Sequence, residues 1–435
     1  MHRRDFLGAA GALAATPLMP GWWRGPSPPP LRANGARLNA QLARFDRIGR
    51  TPGGINRVAY TDADLAGRTF TVELFREAGL SPTIDAAGNI VARLPGLETD
   101  APPIVIGSHV DSVTDGGNYD GPVGSFAAIE VARSLREQGA RLRHPLDVVV
   151  WQNEEGGTIG SKLAIGALTT ADLGLRARSG VTLREGLARI GGDETRLADV
   201  VRRPGSIHGY VELHIEQGGI LERQGRQIGV VEGIVGLRWL EVTITGTANH
   251  AGATPMDQRQ DALLAAARFT VAVHDIVRAE PGRAVATVGR LEARPNTTNI
   301  IAGAVTLTVD LRDLDAATLA RLTERLERAG AEIARASGTS FRFARLVDSE
   351  PAPATPAIMA HIDAAATDLG CSTMPMPSGA GHDAQELARI GPMGMIFIPS
   401  IGGVSHSPRE FSTPEDIARG LDVLLQTVLR LDRQR

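Results

Sequence analysis

Two periods of apolar and polar alternation divide this chain. Across residues 124–139 the apolar side chains Phe126, Ile129, Val131 and Leu135 give one face of a helix, and Gly139 suits its end. Ahead of that helix, "NIVARLPG" and "PIVIGSHV" have strand character. Behind it, "LDVVVWQNEEGG" has a buried-strand core at residues 148–151 that breaks into acids and glycines. Residues 38–78 read as helical, with a breaker at "TPGG". Strands alternating with helices predict a largely parallel sheet covered on both faces, with ligands bound beyond the carboxyl ends of its strands.

The middle of the chain follows another pattern. "LRWLEVTITGTANHAG" alternates over residues 239–245 as a half-buried strand does. A helix, two strands, a second long helix and a last strand at "SFRFARLV" follow, an order that matches the ferredoxin-like β-α-β-β-α-β unit. This predicts an α/β domain with a mainly parallel sheet flanked by helices, from residues 38–235 and 348–435. A smaller ferredoxin-like α+β domain, residues 236–347, is inserted into it. At 435 residues two domains are the prior expectation.

Composition narrows the chemistry. The formal charge is 46 − 49 = −3, which gives no reason to expect nucleic acid or an anionic membrane as partner. A single cysteine, Cys371, excludes an internal disulfide framework and a Cys-rich metal site. Any metal must therefore be held by histidines and carboxylates. The first 37 residues stand apart: Arg3 and Arg4, an apolar run at residues 6–15 and a Pro-rich linker resemble a twin-arginine export signal. That reading implies the export machinery as a partner and a periplasmic or secreted location. No later apolar run is long enough for a permanent membrane span.

Four Gly-flanked polar clusters each close an apolar run: "GSHVDSVTDGGNYDGPVG", "NEEGG", "HIEQGG" and "GGVSHSPRE". They offer His109, Asp111, Asp120, Glu154, Glu155, His214, Glu216 and His406. A lone histidine at a strand end is commonly just a hydrogen-bonded residue, and a Glu-Glu pair is commonly a solvated turn. Together, however, these residues supply the imidazole and carboxylate set that a zinc site uses. Asp120, short and set among glycines, suits a bridge between two cations. Consecutive Glu154 and Glu155 point different ways on an extended or turning backbone, so that one can face metal and the other substrate.

These four motifs, in this order, resemble those of the zinc-dependent amidohydrolases that include N-carbamoyl-L-amino acid hydrolase, allantoate amidohydrolase and ureidoglycolate amidohydrolase. That family lies within the dinuclear metallopeptidases that also hold aminoacylase and glutamate carboxypeptidase. The resemblance runs from about Leu38 to the end of the chain. It implies two Zn²⁺ per subunit, with Mn²⁺, Co²⁺ or Ni²⁺ left open. His109 and His214 would hold one ion, Glu155 and His406 the other, and Asp120 would bridge. Glu154 would be the general base, and Asp111 would orient the His109 imidazole. Tyr119 stands where many relatives carry phenylalanine, and the export signal is a further departure.

The resemblance also assigns substrate contacts to Gln217, His250, Asn299 and Arg312, acting across a subunit boundary or after domain closure. His250 would in addition polarise the scissile carbonyl. From the residues alone, Arg312 can equally pair with Asp310 or Asp313, and Asn299 can cap its turn. The loop "SGAGHDAQ" is expected to line the pocket without ligating metal. The implied activity is hydrolysis of a linear C–N bond in a small carboxylate-bearing ureido or amide compound. N-carbamoyl-L-amino acids come first, then allantoate or ureidoglycolate, then an aminoacylase or dipeptidase substrate. A non-catalytic exported metal- or ligand-binding protein is the alternative of another class. A homodimer through the inserted lid domain is implied as well.

Overall fold

The apolar runs become the centre of a nine-stranded sheet. The computed structural model describes residues 31–434. Most of the export-signal segment therefore lies outside the described residues. Strands Ile104–His109, Leu146–Trp151, Gly209–Ile215 and Met393–Ile398 are buried at every position. They lie side by side in the order Met393–Ile398, Gly209–Ile215, Ile104–His109, Leu146–Trp151, and all run parallel. Continuous apolar runs are what a sheet covered on both faces demands. Val105, Val149, Trp151, Tyr210, Met395 and Phe397 share one cluster with Ala164 and with Ala384 and Leu387. The alternating residues face the other way, where helices Pro122–Glu137 and Pro414–Leu431 pack.

Among the described residues, parallel pairing is confined to this centre and to one partner of a flanking strand. Ile90–Leu94 runs antiparallel beside Leu146–Trp151, and Ile228–Ile234 runs antiparallel beside Met393–Ile398 while pairing in parallel with Thr373–Ser378. The helix at Pro122–Glu137 buries Phe126, Ile129, Val131 and Leu135 as the spacing predicts. Phe126 meets Phe45 edge-on at 4.9 Å between ring centres. Truncating so large a buried ring to alanine costs about 3–5 kcal/mol. Phe45 belongs to helix Gly35–Phe45, which starts ahead of the expected Leu38 because Asn34 caps it and Arg37 pairs with Glu130. No helix among the described residues is long and apolar enough to cross a membrane.

The second sheet has four antiparallel strands in the order Val285–Arg294, Ala304–Asp313, Gly236–Thr245, Ser340–Ser349. Helices Ala262–Arg278 and Ala316–Ser337 pack on it, completing the ferredoxin-like order. Leu240, Val242 and Ile244 point into its core with Ala265 and Phe269, whereas Trp239 on the alternate face is exposed. The last strand continues past the expected boundary at residue 347, because Ser349 still pairs with Leu237. Just beyond, Ala352 pairs with Ile234. The chain thus enters and leaves this sheet side by side.

Candidate metal centre

His109 is the last residue of its strand and is buried. Its Nδ1 lies 3.1 Å from the carbonyl oxygen of Asp111, which can only accept. Nδ1 therefore carries a proton, which leaves Nε2 as the ring atom able to take a cation or a second proton. It faces Asp120 Oδ1 at 3.5 Å. His214, on strand Gly209–Ile215, repeats the device: Nδ1 lies 2.9 Å from the Ile215 carbonyl and Nε2 lies 3.1 Å from the same Asp120 oxygen. His214 Nε2 is buried without a hydrogen-bond partner. A buried nitrogen lone pair with no donor facing it is what a cation would satisfy.

The other oxygen of Asp120 serves the second triad. His406 Nε2 is 3.1 Å from Asp120 Oδ2 and 3.5 Å from Glu155 Oε1. In each of the groups His109–Asp120–His214 and Asp120–Glu155–His406, the donor atoms lie within 4.8 Å of one another. The five residues assigned to metal thus converge with Asp120 shared, and Glu154 Oε2 sits 3.7 Å from His109 Nε2. Gly121 follows Asp120 with φ +81°, and a methyl group there would overlap the His109 ring. Only glycine combines that backbone with that approach. A third group, Glu212–His214–His382, shares His214. Its other members are engaged: Glu212 accepts from Ser108 Oγ at 2.8 Å and Tyr210 Oη at 2.9 Å, and His382 Nε2 lies 2.8 Å from Ser378 Oγ.

Asp111 stands beside the His109 imidazole, with Oδ1 3.6 Å from Nδ1, and has a second task as well. The backbone carbonyl of Asp111 orients His109, while its carboxylate oxygens accept the backbone N–H groups of Glu154 and Glu155, each at 3.2 Å. It fixes the turn that sends the two glutamates to opposite sides, a turn in which Asn153 has φ +51°. Glu216 lies outside both triads and accepts from the backbone of Ile220 and Leu221 at 2.6 and 2.8 Å. Gln217 donates to Asp120 Oδ2 at 2.7 Å, so it touches the centre itself. Asp115 is engaged as well, accepting from Asn56 Nδ2 at 2.9 Å.

The charges explain one another. Burial works to raise the Asp120 carboxyl, but the imidazoles of His109, His214 and His406 outweigh it and hold the group well below the usual carboxylate range. Burial also works to lower His109, yet Glu154, Asp111 and Asp120 overcome it and raise the imidazole well above its ordinary value. Burial pushes Glu154 well up and Glu155 up to about 7, with neighbouring acids adding to both. Acids raised by burial among acids are stabilised in their charged form by positive charge. The donor set, the shared carboxylate and the orphan imidazole nitrogen all fit a pair of divalent cations.

Apart from Gln217, the residues assigned to substrate fall on the four-stranded sheet and its loops. His250 is exposed, its Nδ1 accepting from the backbone of Gly252 and Ala253 at 3.0 and 3.1 Å. The Asn299 carbonyl accepts from Ala251 at 3.0 Å, so these two loops hold each other on the four-stranded sheet. Arg312 forms the two-pronged pair with Asp310, at 2.9 and 2.7 Å, and also donates to the Gly379 carbonyl at 2.6 Å. Gly379 lines an open cavity of about 440 Å³ together with Gln217, Ser405 and His406. Arg312 is thus one hydrogen bond from the wall of the metal-side cavity. Sequence reasoning missed Glu410 and Glu212. Glu410 closes the "SHSPRE" stretch, and Glu212 is an acid inside an otherwise apolar strand, which was the available signal.

Residues 105–430 match peptidase family M20/M25/M40. The chain belongs to this family. Both triads and Glu154 lie inside the matched stretch. Enzymes of the family typically depend on two metal ions, and the triads joined at Asp120 are groups able to hold them. An N-carbamoyl-L-amino acid amidohydrolase of Geobacillus stearothermophilus is 40% identical over 403 residues, covering 91% of this chain and 98% of that relative. An allantoate amidohydrolase of Escherichia coli (strain K12) is 35% identical over 406 residues, covering 92% and 98%. A solved amidase of the hydantoinase/carbamoylase family from Burkholderia multivorans superposes with TM-score 0.87 at 39% identity, covering 93% and 99%.

Proposed function

We propose that this M20 enzyme hydrolyses a linear C–N bond in a small carboxylate-bearing ureido or amide compound, with an N-carbamoyl-L-amino acid as first substrate. The observation that carries the reading is the pair of donor triads joined at Asp120, with Glu154 beside them. His109 and His214 would hold one cation, Glu155 and His406 the other. Bound there, two divalent cations supply Lewis acidity that brings water toward a pKa of ~7 and polarises a carbonyl. Glu154 takes the proton of the attacking water and returns it to the leaving nitrogen. Its carboxylate is buried on the Asp111-held turn, with Oε2 3.7 Å from His109 Nε2. For a carbamoyl substrate the balance is R–NH–CO–NH₂ plus one water giving R–NH₂, NH₃ and CO₂.

Arg312 would take the substrate carboxylate in exchange for Asp310, which occupies its planar fork in the unliganded chain. Its second contact, at Gly379, puts it beside the cavity that His406 and Gln217 line. His250 and Asn299 complete recognition from a second copy of the chain or after the two sheets close, with the four-stranded sheet acting as lid and dimerisation domain. Zn²⁺ is the proposed ion. Export through the twin-arginine route to the periplasm rests on Arg3, Arg4 and the apolar run that follows.

The test is ammonia release by zinc-loaded protein from N-carbamoyl-L-amino acids, allantoate and ureidoglycolate, with release of free amino acid measured for N-acyl amino acids. The highest kcat/KM is expected on a carbamoyl amino acid. A preference for allantoate moves the assignment to the second reading, which the Escherichia coli relative favours. No ammonia or amine from any compound, with two zinc ions bound, would leave the non-catalytic binding protein.

A further inference from the structure

We propose that Glu410 is a positioning residue that couples the two halves of the metal centre. Without its carboxylate, the chain keeps the cation at His109 and His214 and loses its hold on the one at Glu155 and His406. The inference rests on the two-cation reading above and adds to it a residue outside the ligand set.

The two triads are built unequally. His109 and His214 come from strands buried at every position, and a backbone carbonyl fixes each ring through Nδ1. His406 sits in a loop with φ +52°, and 49% of its side chain is exposed. No backbone carbonyl holds its ring among the described residues. Something outside the ring must therefore place it, because a ligand left free to reorient gives up entropy on binding.

Glu410 is the group in reach of both sides. It is buried, and its Oε1 accepts the backbone N–H groups of Tyr119 at 2.9 Å and Asp120 at 3.0 Å. Its Oε2 accepts the Ser405 hydroxyl at 2.8 Å and the backbone N–H of His406 at 3.3 Å. One carboxylate thus ties the loop of the shared ligand to the loop of the exposed ligand. Ser405 Oγ also lies 3.0 Å from Asp120 Oδ2, so a single hydroxyl proton is placed between the two carboxylates. The approach needs Gly117, where a methyl group would overlap the Glu410 side chain from Cβ to the carboxyl group. Ordering of the Asp120 loop by the first cation is then transmitted to His406 through Glu410.

Glu410→Gln keeps the shape but gives one side of the clamp an N–H₂ where an acceptor is required, whichever way the amide turns. Gly117→Ala displaces Glu410 without changing its charge and carries the test should the first variant fold poorly. Full-length wild type and both variants would be titrated with Zn²⁺ by calorimetry. Bound zinc would be counted after equilibrium dialysis, and apo unfolding midpoints recorded. Wild type is expected to take two equivalents. Each variant is expected to keep the first at wild-type affinity and to bind the second on the order of 10–100-fold more weakly, with an apo midpoint close to wild type. Retention of both equivalents at wild-type affinity overturns the coupling even where turnover falls, and so does joint loss of both. A wild-type chain that binds no zinc overturns the two-cation reading itself, and this inference with it.

Discussion

At the ends of the parallel strands His109, Asp120 and His214 are buried with their donor atoms within 4.8 Å of one another, whereas on the four-stranded sheet His250 and Asn299 are exposed and held by neighbouring loops. The contrast follows from what each region has to do. A cation must replace its water with ligands already aimed, and the desolvated strand ends of His109 and His214 supply two of them. A substrate must enter and leave, so groups that grip it belong on a surface that water reaches until the site closes. Arg312 stands between the two, paired with Asp310 on its own sheet and reaching Gly379 on the cavity side.

The sharpest way to break this comparison is Glu154→Gln. It should lower kcat on the order of 10²–10⁴-fold while zinc content, measured by elemental analysis, stays at the wild-type level. Turnover near wild type would remove Glu154 from the chemistry, and loss of zinc would make it a ligand. A smaller effect is expected at Arg312. Arg312→Ala should reduce kcat/KM about 10–100-fold, the worth of a charge-assisted contact, mostly through KM and with zinc binding unchanged. Steady-state kinetics on the preferred substrate checks this, and zinc loss in that variant would show that the two regions are not separable.

The smallest effect is graded with pH. The contact with Asp120 raises His406 to about 8, and His214 is raised too, the nearby carboxylates of Asp120 and Glu212 overcoming the effect of burial. Zinc must displace those protons, so its apparent affinity should weaken as pH falls through about 8, by roughly tenfold per pH unit for each proton released. Calorimetry in buffers of different ionisation enthalpy counts the protons. Affinity that does not change between pH 8 and 6 would exclude the imidazoles as ligands.

Much of the centre was legible because His109, Glu155, His214 and His406 end or follow apolar runs that read as buried strands, and Asp120 is set among glycines. His109 after Ile104–Ile106 and His406 after Met393–Ile398 are marked by that change of character. The same periodicity separated the ferredoxin-like unit, since alternation over residues 239–245 cannot belong to a strand buried on both faces. What escaped notice were residues whose meaning depends on partners far along the chain. Glu410 looks like any loop acid until the fold brings it to the backbone of Asp120, 290 positions away. Asp111 lies two residues from His109, which suggested a partner for the imidazole, but only the fold shows that the same carboxylate also holds the turn at residues 153–155.

Residue type and local period were sufficient to say which side chains could hold a cation, because a strand's burial and its end are properties of a few consecutive residues. They were also sufficient to place the donors at one edge of a sheet. Which oxygen of Asp120 faces which imidazole, and that Arg312 already holds Asp310, came only with the assembled fold. Hydrogen bonds and ion pairs act over about 3 Å, and no local pattern specifies which distant groups tertiary packing will bring to that distance.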